Sequence, residues 1–275
     1  MKTALWLFFA VLAPLSWASA QDHGLSCKPL PAEAAAPLGE SFYEGYVNAF
    51  GFPEAGGNVN RVNYLKGKIT EAQTKSPDQV EALQTQLQTA EEQTTAFSAL
   101  DLKTQHRLYT ENQIQLRISY LRPYLQKIGC NISDLDVFAI SIYSGSQYKV
   151  LNDTLRKGPP EELAKYQFLI DAINAGLEKL QPYEGVVRRG IALLPPAVMK
   201  QYCKGCVVEE KAFTSTTRNS SYSKAPLQFV IHSKTGVYIA PLSSAPMEEE
   251  VLFKSGTRFK VLSKNKNVIT MEEVP

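Results

Sequence analysis

The chain has 275 residues and a formal net charge of +2, from 29 basic and 27 acidic side chains. Hydrophobic residues make up 44% of it, which is enough for one large globular domain or two modest ones. Because the charges are balanced, we expect no broad basic surface, which argues against nucleic acid or an anionic membrane as a partner.

Residues 1–20, MKTALWLFFAVLAPLSWASA, have the pattern of a secretory signal peptide. Lys2 supplies a positive charge, an apolar stretch follows, and Ala18-Ser19-Ala20 is a small-residue cleavage site, so that Gln21 should begin the mature chain. The apolar stretch is too short for a stable membrane span, and no later segment is apolar enough for one. We therefore expect a secreted protein, periplasmic or extracellular, with no stable membrane anchor.

The cysteines of the mature chain are Cys27, Cys130, Cys203 and Cys206. An even number in an exported protein suggests disulfides, and three pairings are possible. We favour a local Cys203–Cys206 loop and a long-range Cys27–Cys130 link. The alternative is a metal or redox site at Cys203-Lys204-Gly205-Cys206, but one such motif without a second pair of ligands is a weak metal signal. The histidines are scattered, and we expect no metal.

Residues 21–130 are predicted to be mainly helical. Ser76-Pro77-Asp78 is typical of a helix start, and apolar residues at three- and four-residue steps from Val80 to Ala90 define one helix face. A second helical stretch covers Gln105 to Ile128, whereas Gly56-Gly57-Asn58 should break the chain. The two helical stretches predict a helical hairpin or small bundle, and no motif indicates the role of this region.

The rest of the chain begins with helical patterns, in 139–156 and 168–180, and then turns to short strands. The predicted strands are Cys206–Glu209, Lys211–Thr214, Leu227–His232, Gly236–Ile239, Glu250–Lys254 and Arg258–Ser263. A further short β run precedes Arg188-Arg189-Gly190. Helices followed by short strands predict an α+β domain.

Three segments carry candidate site residues. The first ends in Arg188-Arg189-Gly190, the second contains Ser215-Thr216-Thr217, and the third is Glu248-Glu249-Glu250, directly before an apolar strand. Neighbouring carboxylates raise each other's pKa, so a folded chain needs a reason to keep them. Because residues two apart in a strand share a face, alternation predicts that Glu248 and Glu250 point the same way.

In this order, the arginine, the hydroxyl cluster and the Glu-x-Glu pair resemble the Arg-Ser-Glu class of mono-ADP-ribosyltransferases, a family that includes bacterial exotoxins. The helical pattern of 139–156 is also similar to a helix of that family. The resemblance covers 131–275 and implies an ADP-ribosyltransferase-like split β-sandwich with flanking helices. The expected organisation is a signal peptide at 1–20, a mainly helical region of unknown role at 21–130, and a catalytic domain at 131–275.

The resemblance also implies a role for each site residue. Glu250 would stabilise the positive charge that develops on the ribose of NAD, and Glu248 would orient the acceptor, which a Glu at this position predicts to be arginine. Ser215 would position Glu250. Thr216 and Thr217 would support the NAD pocket, with Thr217 standing where the family has serine.

Arg189, directly before Gly190, is the residue that the resemblance assigns to an NAD phosphate. The family usually has an aromatic residue at the position of Arg188, and Arg188 is therefore the alternative. Strand alternation predicts that only one of the two arginines reaches the site.

These features predict an exported mono-ADP-ribosyltransferase that uses NAD as its substrate and modifies arginine side chains of target proteins, as a bacterial toxin or effector. One alternative is an NAD glycohydrolase on the same fold, with water as the acceptor. The other is a non-enzymatic secreted interaction protein whose helical half binds a partner.

Overall fold

The computed structural model describes residues 24–29, 38, 42–43, 45–46, 49 and 57–275. The predicted signal peptide at 1–20 lies outside these residues. The chain separates into two compact units, one drawn from Gly39–Arg117 and the other from Ala20–Leu38 together with Ile118–Pro275.

The first unit is helical, as predicted. Its elements are α1 (Gly57–Lys75), a 3-10 turn (Pro77–Gln79), α2 (Val80–Ser98) and the first part of α3 (Leu102–Lys127). Pro77 opens the turn before α2, as the sequence predicts, because proline lacks the N–H that the first turn of a helix leaves unpaired. None of the described helices is both long and apolar enough to cross a membrane.

The helical hairpin of this unit is formed by α1 and α2, which pack against each other. An ion pair between Lys66 Nζ and Glu91 Oε1, at 3.0 Å, links them. The predicted break at Gly56-Gly57-Asn58 was wrong, because α1 begins at Gly57. Glycine is a poor helix interior residue, but at a first position it costs the helix little.

The second unit continues with α4 (Asp134–Ile142), a π-helical segment (Tyr143–Gln147), α5 (Tyr148–Lys157) and α6 (Pro160–Lys179). A capping box starts α4: the Ser133 hydroxyl accepts from the backbone N–H of Asp136, and the Asp136 carboxylate accepts from that of Ser133. The helices α4 and α6 pack together, and Lys179 Nζ lies 2.9 Å from Asp136 Oδ2 across them.

A single eight-stranded sheet completes the unit, in the order β2-β7-β8-β4-β1-β3-β6-β5. Its strands are β1 (Gly185–Ile191), β2 (Val207–Glu210), β3 (Thr214–Thr217), β4 (Leu227–Ser233), β5 (Val237–Tyr238), β6 (Glu250–Phe253), β7 (Thr257–Asn265) and β8 (Val268–Val274). A short helix, α7 (Pro196–Met199), lies between β1 and β2. Helices followed by a mostly antiparallel sheet confirm the predicted α+β class.

Two strands differ from the prediction. The strand expected at Lys211–Thr214 lies three residues later, because the hydroxyl cluster is itself β3; threonine, β-branched, suits a strand. The second is β8, which was not predicted. Its side chains alternate between buried and partly exposed positions, and it pairs in parallel with β4 through residues far away in the chain.

The sheet is joined only narrowly at its centre. Here β1 pairs with β4 along its whole length but meets β3 at one position, Arg188 opposite Thr217. On the far side of β3, β6 pairs over four positions, from Thr214 opposite Phe253 to Thr217 opposite Glu250. The sheet therefore opens between β1 and β3, and this opening is where the candidate site lies.

Both favoured disulfides are present in the structure. Cys27 is bonded to Cys130 with a Cα–Cα distance of 5.2 Å, and Cys203 to Cys206 with one of 5.3 Å. Backbone hydrogen bonds attach the segment around Cys27 to the end of α6: Lys28 N donates to Lys179 O at 2.9 Å, and Gln181 N donates to Ser26 O at 2.9 Å.

The two disulfides should contribute unequally to stability. Cys27–Cys130 spans 103 residues and Cys203–Cys206 spans 3, and in the chain-entropy model a loop of about 100 residues contributes ~4.7 kcal/mol, more than a tight loop does. We expect the Cys27→Ser/Cys130→Ser variant to lose more free energy of unfolding than Cys203→Ser/Cys206→Ser. Denaturant unfolding of both variants measures this, and equal losses would contradict it.

Candidate active site

A cavity of about 680 Å³ lies beside the opening in the sheet, between β1, β3, the start of β6 and the helical segment that contains α5. Every residue that the sequence predicted for the site lines this cavity. They are Arg188, Arg189, Gly190, Ser215, Thr216, Thr217, Glu248 and Glu250. The fold thus brings together three segments that are separate in the chain.

Glu250 is the most enclosed acid of the cavity. It is the first residue of β6 and is only 5% exposed. Burial raises its pKa to about 7, and the nearby charge of Glu248 acts in the same direction. A hydrogen bond from Ser215 and the positive charge of Arg189 partly oppose this rise. The carboxyl group therefore changes its charge close to neutral pH.

Glu248 lines the same cavity, but it lies in a turn and not in the predicted strand. It ends a 3-10 turn, Pro246–Glu248, and is exposed. Glu249 has a left-handed backbone with φ of +48°, and the strand begins only at Glu250. The prediction that strand alternation aligns the two acids was therefore wrong, although both line the cavity. The turn instead gives one acid a buried position and the other an exposed one.

The hydroxyls of β3 fix this turn and the strand that follows it. Thr216 Oγ1 donates to the backbone carbonyl of Val251 at 2.6 Å, and Thr217 Oγ1 donates to that of Glu248. Ser215 supplies the hydrogen bond to the Glu250 carboxylate. The threonines thus hold the backbone beside both acids, while the serine contacts the acid itself.

Both arginines of β1 line the cavity, which contradicts the expectation that only one could reach it. Because β3 pairs with β1 at Arg188 alone, the sheet is open beside the two arginines, and both side chains reach the cavity. Arg189 Nη1 donates to the backbone carbonyl of Ser215 at 3.0 Å, which places its charge beside Glu250.

Gly190 allows the chain to pass closely behind the arginines. A Cβ at this position would lie 2.9 Å from Ala225 Cβ and 3.0 Å from Ser223 O. A larger residue would therefore push β1 away from the loop before β4, and with it the two arginines.

Tyr143 and Asn152 also line the cavity, although neither was predicted for the site. Tyr143 is fully buried, and Asn152 Nδ2 donates to its hydroxyl at 3.0 Å. Burial, and then the charge of Glu250, raise the pKa of Tyr143. The other amide atom, Asn152 Oδ1, is buried without a hydrogen-bond partner in the described part of the chain. A ligand in the cavity could supply that partner. The signal was present, since both residues belong to the helical pattern of 139–156.

The charges of the cavity are divided between its elements. Arg156 on α5 and Arg188 on β1 make no side-chain hydrogen bond or ion pair within the described ranges. Arg156 lies one helical turn from Asp153, whose pKa is lowered by Lys149 and also by Arg156, so Arg188 has the charge that is more available to a ligand. Lys149 differs, because its Nζ lies 2.8 Å from Asp153 Oδ2. Among the described residues there is no cluster of His, Cys, Asp or Glu that could hold a metal ion.

Comparison with known proteins identifies the family. The family model for NAD:arginine ADP-ribosyltransferases matches residues 63–274, which is more than half of the chain. The chain therefore belongs to the NAD:arginine ADP-ribosyltransferase family. This confirms the resemblance that the Arg, Ser-Thr-Thr and Glu-x-Glu segments indicated.

Two relatives illustrate the range of the family. The Mycobacterium avium protein Mav, whose name assigns it to the NAD(+)–arginine ADP-ribosyltransferases, is 39% identical over 134 residues, which is 47% of this chain and 16% of Mav. Secreted exoenzyme S of Pseudomonas aeruginosa is 29% identical over 134 residues, 47% of this chain and 29% of that protein. The chain thus spans less than a third of the length of either relative.

A solved structure agrees with the fold. The type III effector XopAI of Xanthomonas axonopodis pv. citri matches with a TM-score of 0.55 and 22% identity, over 62% of this chain and 81% of that chain. At this identity the likeness concerns the fold alone.

The position of Glu250 predicts a pH-dependent stability. Its pKa rises from an ordinary value of 4.5 to about 7 on folding, so the folded protein holds this proton more tightly than the unfolded chain does. The resulting stabilisation is complete below pH 4.5 and is lost as the pH rises through 7. Glu250→Gln, which stays neutral, lacks this loss.

We therefore expect the free energy of unfolding of the wild type, relative to Glu250→Gln, to fall by about 3 kcal/mol across that interval. Denaturant unfolding of both proteins over a pH series, without substrate, measures it. A difference that stays constant with pH would mean that Glu250 is not protonated in the folded protein near neutral pH.

Proposed function

We propose that this protein transfers ADP-ribose from NAD to arginine side chains of target proteins. The observation that carries the proposal is the paired acids at one cavity: Glu250 is buried and bonded by Ser215, whereas Glu248 is exposed two residues away. Membership of the family supports the same reaction.

The first half of the reaction breaks the bond between nicotinamide and ribose. Nicotinamide leaves with the bonding electrons, and positive charge develops on the ribose, as it does in glycoside cleavage. In its ionised form, Glu250 would accept a hydrogen bond from a ribose hydroxyl and stabilise this charge, since a fixed carboxylate in an enclosed site acts without solvent rearrangement. Ser215 would hold the carboxylate in place.

The second half joins the ribose carbon to a guanidinium nitrogen of the acceptor. A new carbon–nitrogen bond forms, and that nitrogen loses a proton, for which Glu248 is the proposed base. A carboxylate and a guanidinium match in shape and charge through paired hydrogen bonds. Because Glu248 is exposed, an arginine on another protein could approach it, which the buried Glu250 would not permit.

The cationic side of the cavity suits the diphosphate of NAD. Arg189 beside Gly190 is the proposed phosphate ligand, and Arg188 and Arg156 are two further positive groups facing the same space. Thr216 and Thr217 would maintain the pocket by holding the backbone of β6 and of the turn before it.

We further propose that the protein is exported through the signal peptide at 1–20 and acts as a bacterial toxin or effector. The name of the relative Secreted exoenzyme S and the two disulfides support an exported protein. In this proposal residues 131–275 form the catalytic domain. The cavity does not define a role for the helical region of 21–130, since none of the described residues of that region lines it.

The proposal is tested with the purified protein, labelled NAD and an arginine-rich acceptor, with a lysine-rich acceptor as the specificity control. Label on the arginine acceptor supports transfer. Release of nicotinamide alone would instead identify an NAD glycohydrolase, and no turnover would favour a non-enzymatic interaction protein.

Glu250→Ala should abolish transfer and NAD hydrolysis together, because both reactions pass through the same positive charge on the ribose. We expect a loss of about a hundred- to a thousandfold in rate. Glu209→Gln, which removes an exposed acid from β2, is the control and should retain activity. Near-normal nicotinamide release by the Glu250 variant would refute the assignment of this site.

Glu248→Gln should separate the two reactions. The residue is proposed to serve the acceptor rather than the ribose, so arginine modification should fall steeply while some NAD hydrolysis remains. Parallel assays of labelled acceptor and free nicotinamide measure both rates. Equal loss of the two activities would mean that the acids do not divide the work in this way.

A further inference from the structure

The turn that carries both acids is held by a residue outside the cavity. Glu249, between Glu248 and Glu250, has the left-handed backbone that glycine normally occupies. Such a conformation persists where the surrounding structure enforces it. Here the Glu249 carboxylate accepts a hydrogen bond from Arg218 Nε at 2.9 Å, and its backbone carbonyl accepts from the Arg218 backbone N–H at 3.2 Å.

Arg218 is itself fixed by a second contact. Its guanidinium lies 3.9 Å from the ring centre of Tyr238, and Nη2 donates to the Tyr238 hydroxyl at 3.2 Å. Tyr238 belongs to β5, and Arg218 directly follows β3; these are the two strands on either side of β6. Arg218 therefore bridges both neighbours of β6 across the point where that strand begins.

The surroundings of Arg218 limit its freedom further. Its side chain is 27% exposed, and that of Glu249 is 36% exposed. A Cβ at Gly24 would lie 3.8 Å from Arg218 Nη1, so the segment held by the Cys27–Cys130 disulfide passes beside the guanidinium. The ion pair is thus partly enclosed, with fixed groups on several sides.

The two acids depend to different degrees on the contacts between Arg218 and Glu249. Glu250 is buried, lies in the β3–β6 pairing and receives the Ser215 hydrogen bond. Glu248 is exposed, and only its backbone is held: its carbonyl accepts from Thr217 Oγ1, its N–H donates to Ala245 O at 3.0 Å, and Glu249 follows it in the chain. Loss of the ion pair between Arg218 and Glu249 should therefore move Glu248 more than Glu250.

We propose that Arg218 is a positioning residue that sets the place of Glu248 relative to Glu250. By doing so it determines how ADP-ribose is shared between a guanidine acceptor and water. This inference rests on the proposed function, because it assigns the acceptor to Glu248.

The test compares Arg218→Gln with the wild type, using agmatine as a small guanidine acceptor. We expect transfer to agmatine to fall about tenfold, which corresponds to a coupling of ordinary size between contacting residues, while NAD hydrolysis changes by less than about twofold. Lys254→Gln is the matched control. It breaks a different ion pair of the same unit, the one with Glu178 at 2.7 Å, and should leave the ratio of the two activities unchanged.

Glu249→Gln provides a second route to the same ion pair if Arg218→Gln folds poorly. The charge-reversed double variant, Arg218→Glu with Glu249→Arg, should recover part of the transfer that Arg218→Glu loses. A purely stabilising ion pair would not produce such a change in the ratio. Thermal unfolding of each variant checks that the fold is intact.

The outcomes separate this inference from the proposed function. An active wild type whose two activities fall by one common factor in Arg218→Gln and Glu249→Gln, or do not fall, would overturn the positioning role and leave the function standing. A wild type without NAD turnover would overturn both.

Discussion

The buried carboxylate of Glu250 is the constraint on which the rest of the site depends. A carboxylate in a low-dielectric environment disfavours its own charge unless hydrogen bonds and opposite charges compensate for lost water. Here the compensation comes from Ser215 on β3 and Arg189 on β1, while Glu250 starts β6. These strands must therefore meet at one place, and the narrow contact between β1 and β3 leaves a cavity beside Glu250 and its partners.

A short turn gives two chemically identical side chains different environments. A continuous strand would have aligned Glu248 and Glu250 on one face and exposed both to similar solvent. The 3-10 turn and the left-handed backbone of Glu249 instead leave Glu248 exposed, whereas Glu250 is buried, with 5% exposure. Environments that separate the behaviour of two acids are the usual means of assigning them different roles in one reaction. The cost is backbone strain at Glu249, which the Arg218 ion pair offsets.

The features of the fold and the site that could be predicted from the sequence are those that depend on residues near one another in the chain. The three site segments were identifiable because each has a recognisable order of residue types, and every residue predicted for the site lines one cavity. The left-handed backbone of Glu249 could not be predicted, since nothing in Glu248-Glu249-Glu250 distinguishes a turn from a strand. The shared access of Arg188 and Arg189 depends on where β3 stops covering β1, which is a tertiary property. Likewise, β8 depends on pairing in parallel with the distant β4.

The separation of charges in the cavity has a physical consequence for binding. Arg156 and Arg188 come from α5 and β1, whereas Glu250 and Glu248 come from β6 and the turn before it. Where opposite charges lie one helical turn apart, as in Lys149 and Asp153, they neutralise each other. The pKa of Asp153 is lowered first by Lys149 and also by Arg156, which lies one turn away on the same helix. The charge of Arg188 on β1 therefore remains the more available one for an anionic ligand. A substrate that carries phosphates at one end and develops positive charge at the other matches this arrangement, because arginines and carboxylates from different elements line the same cavity.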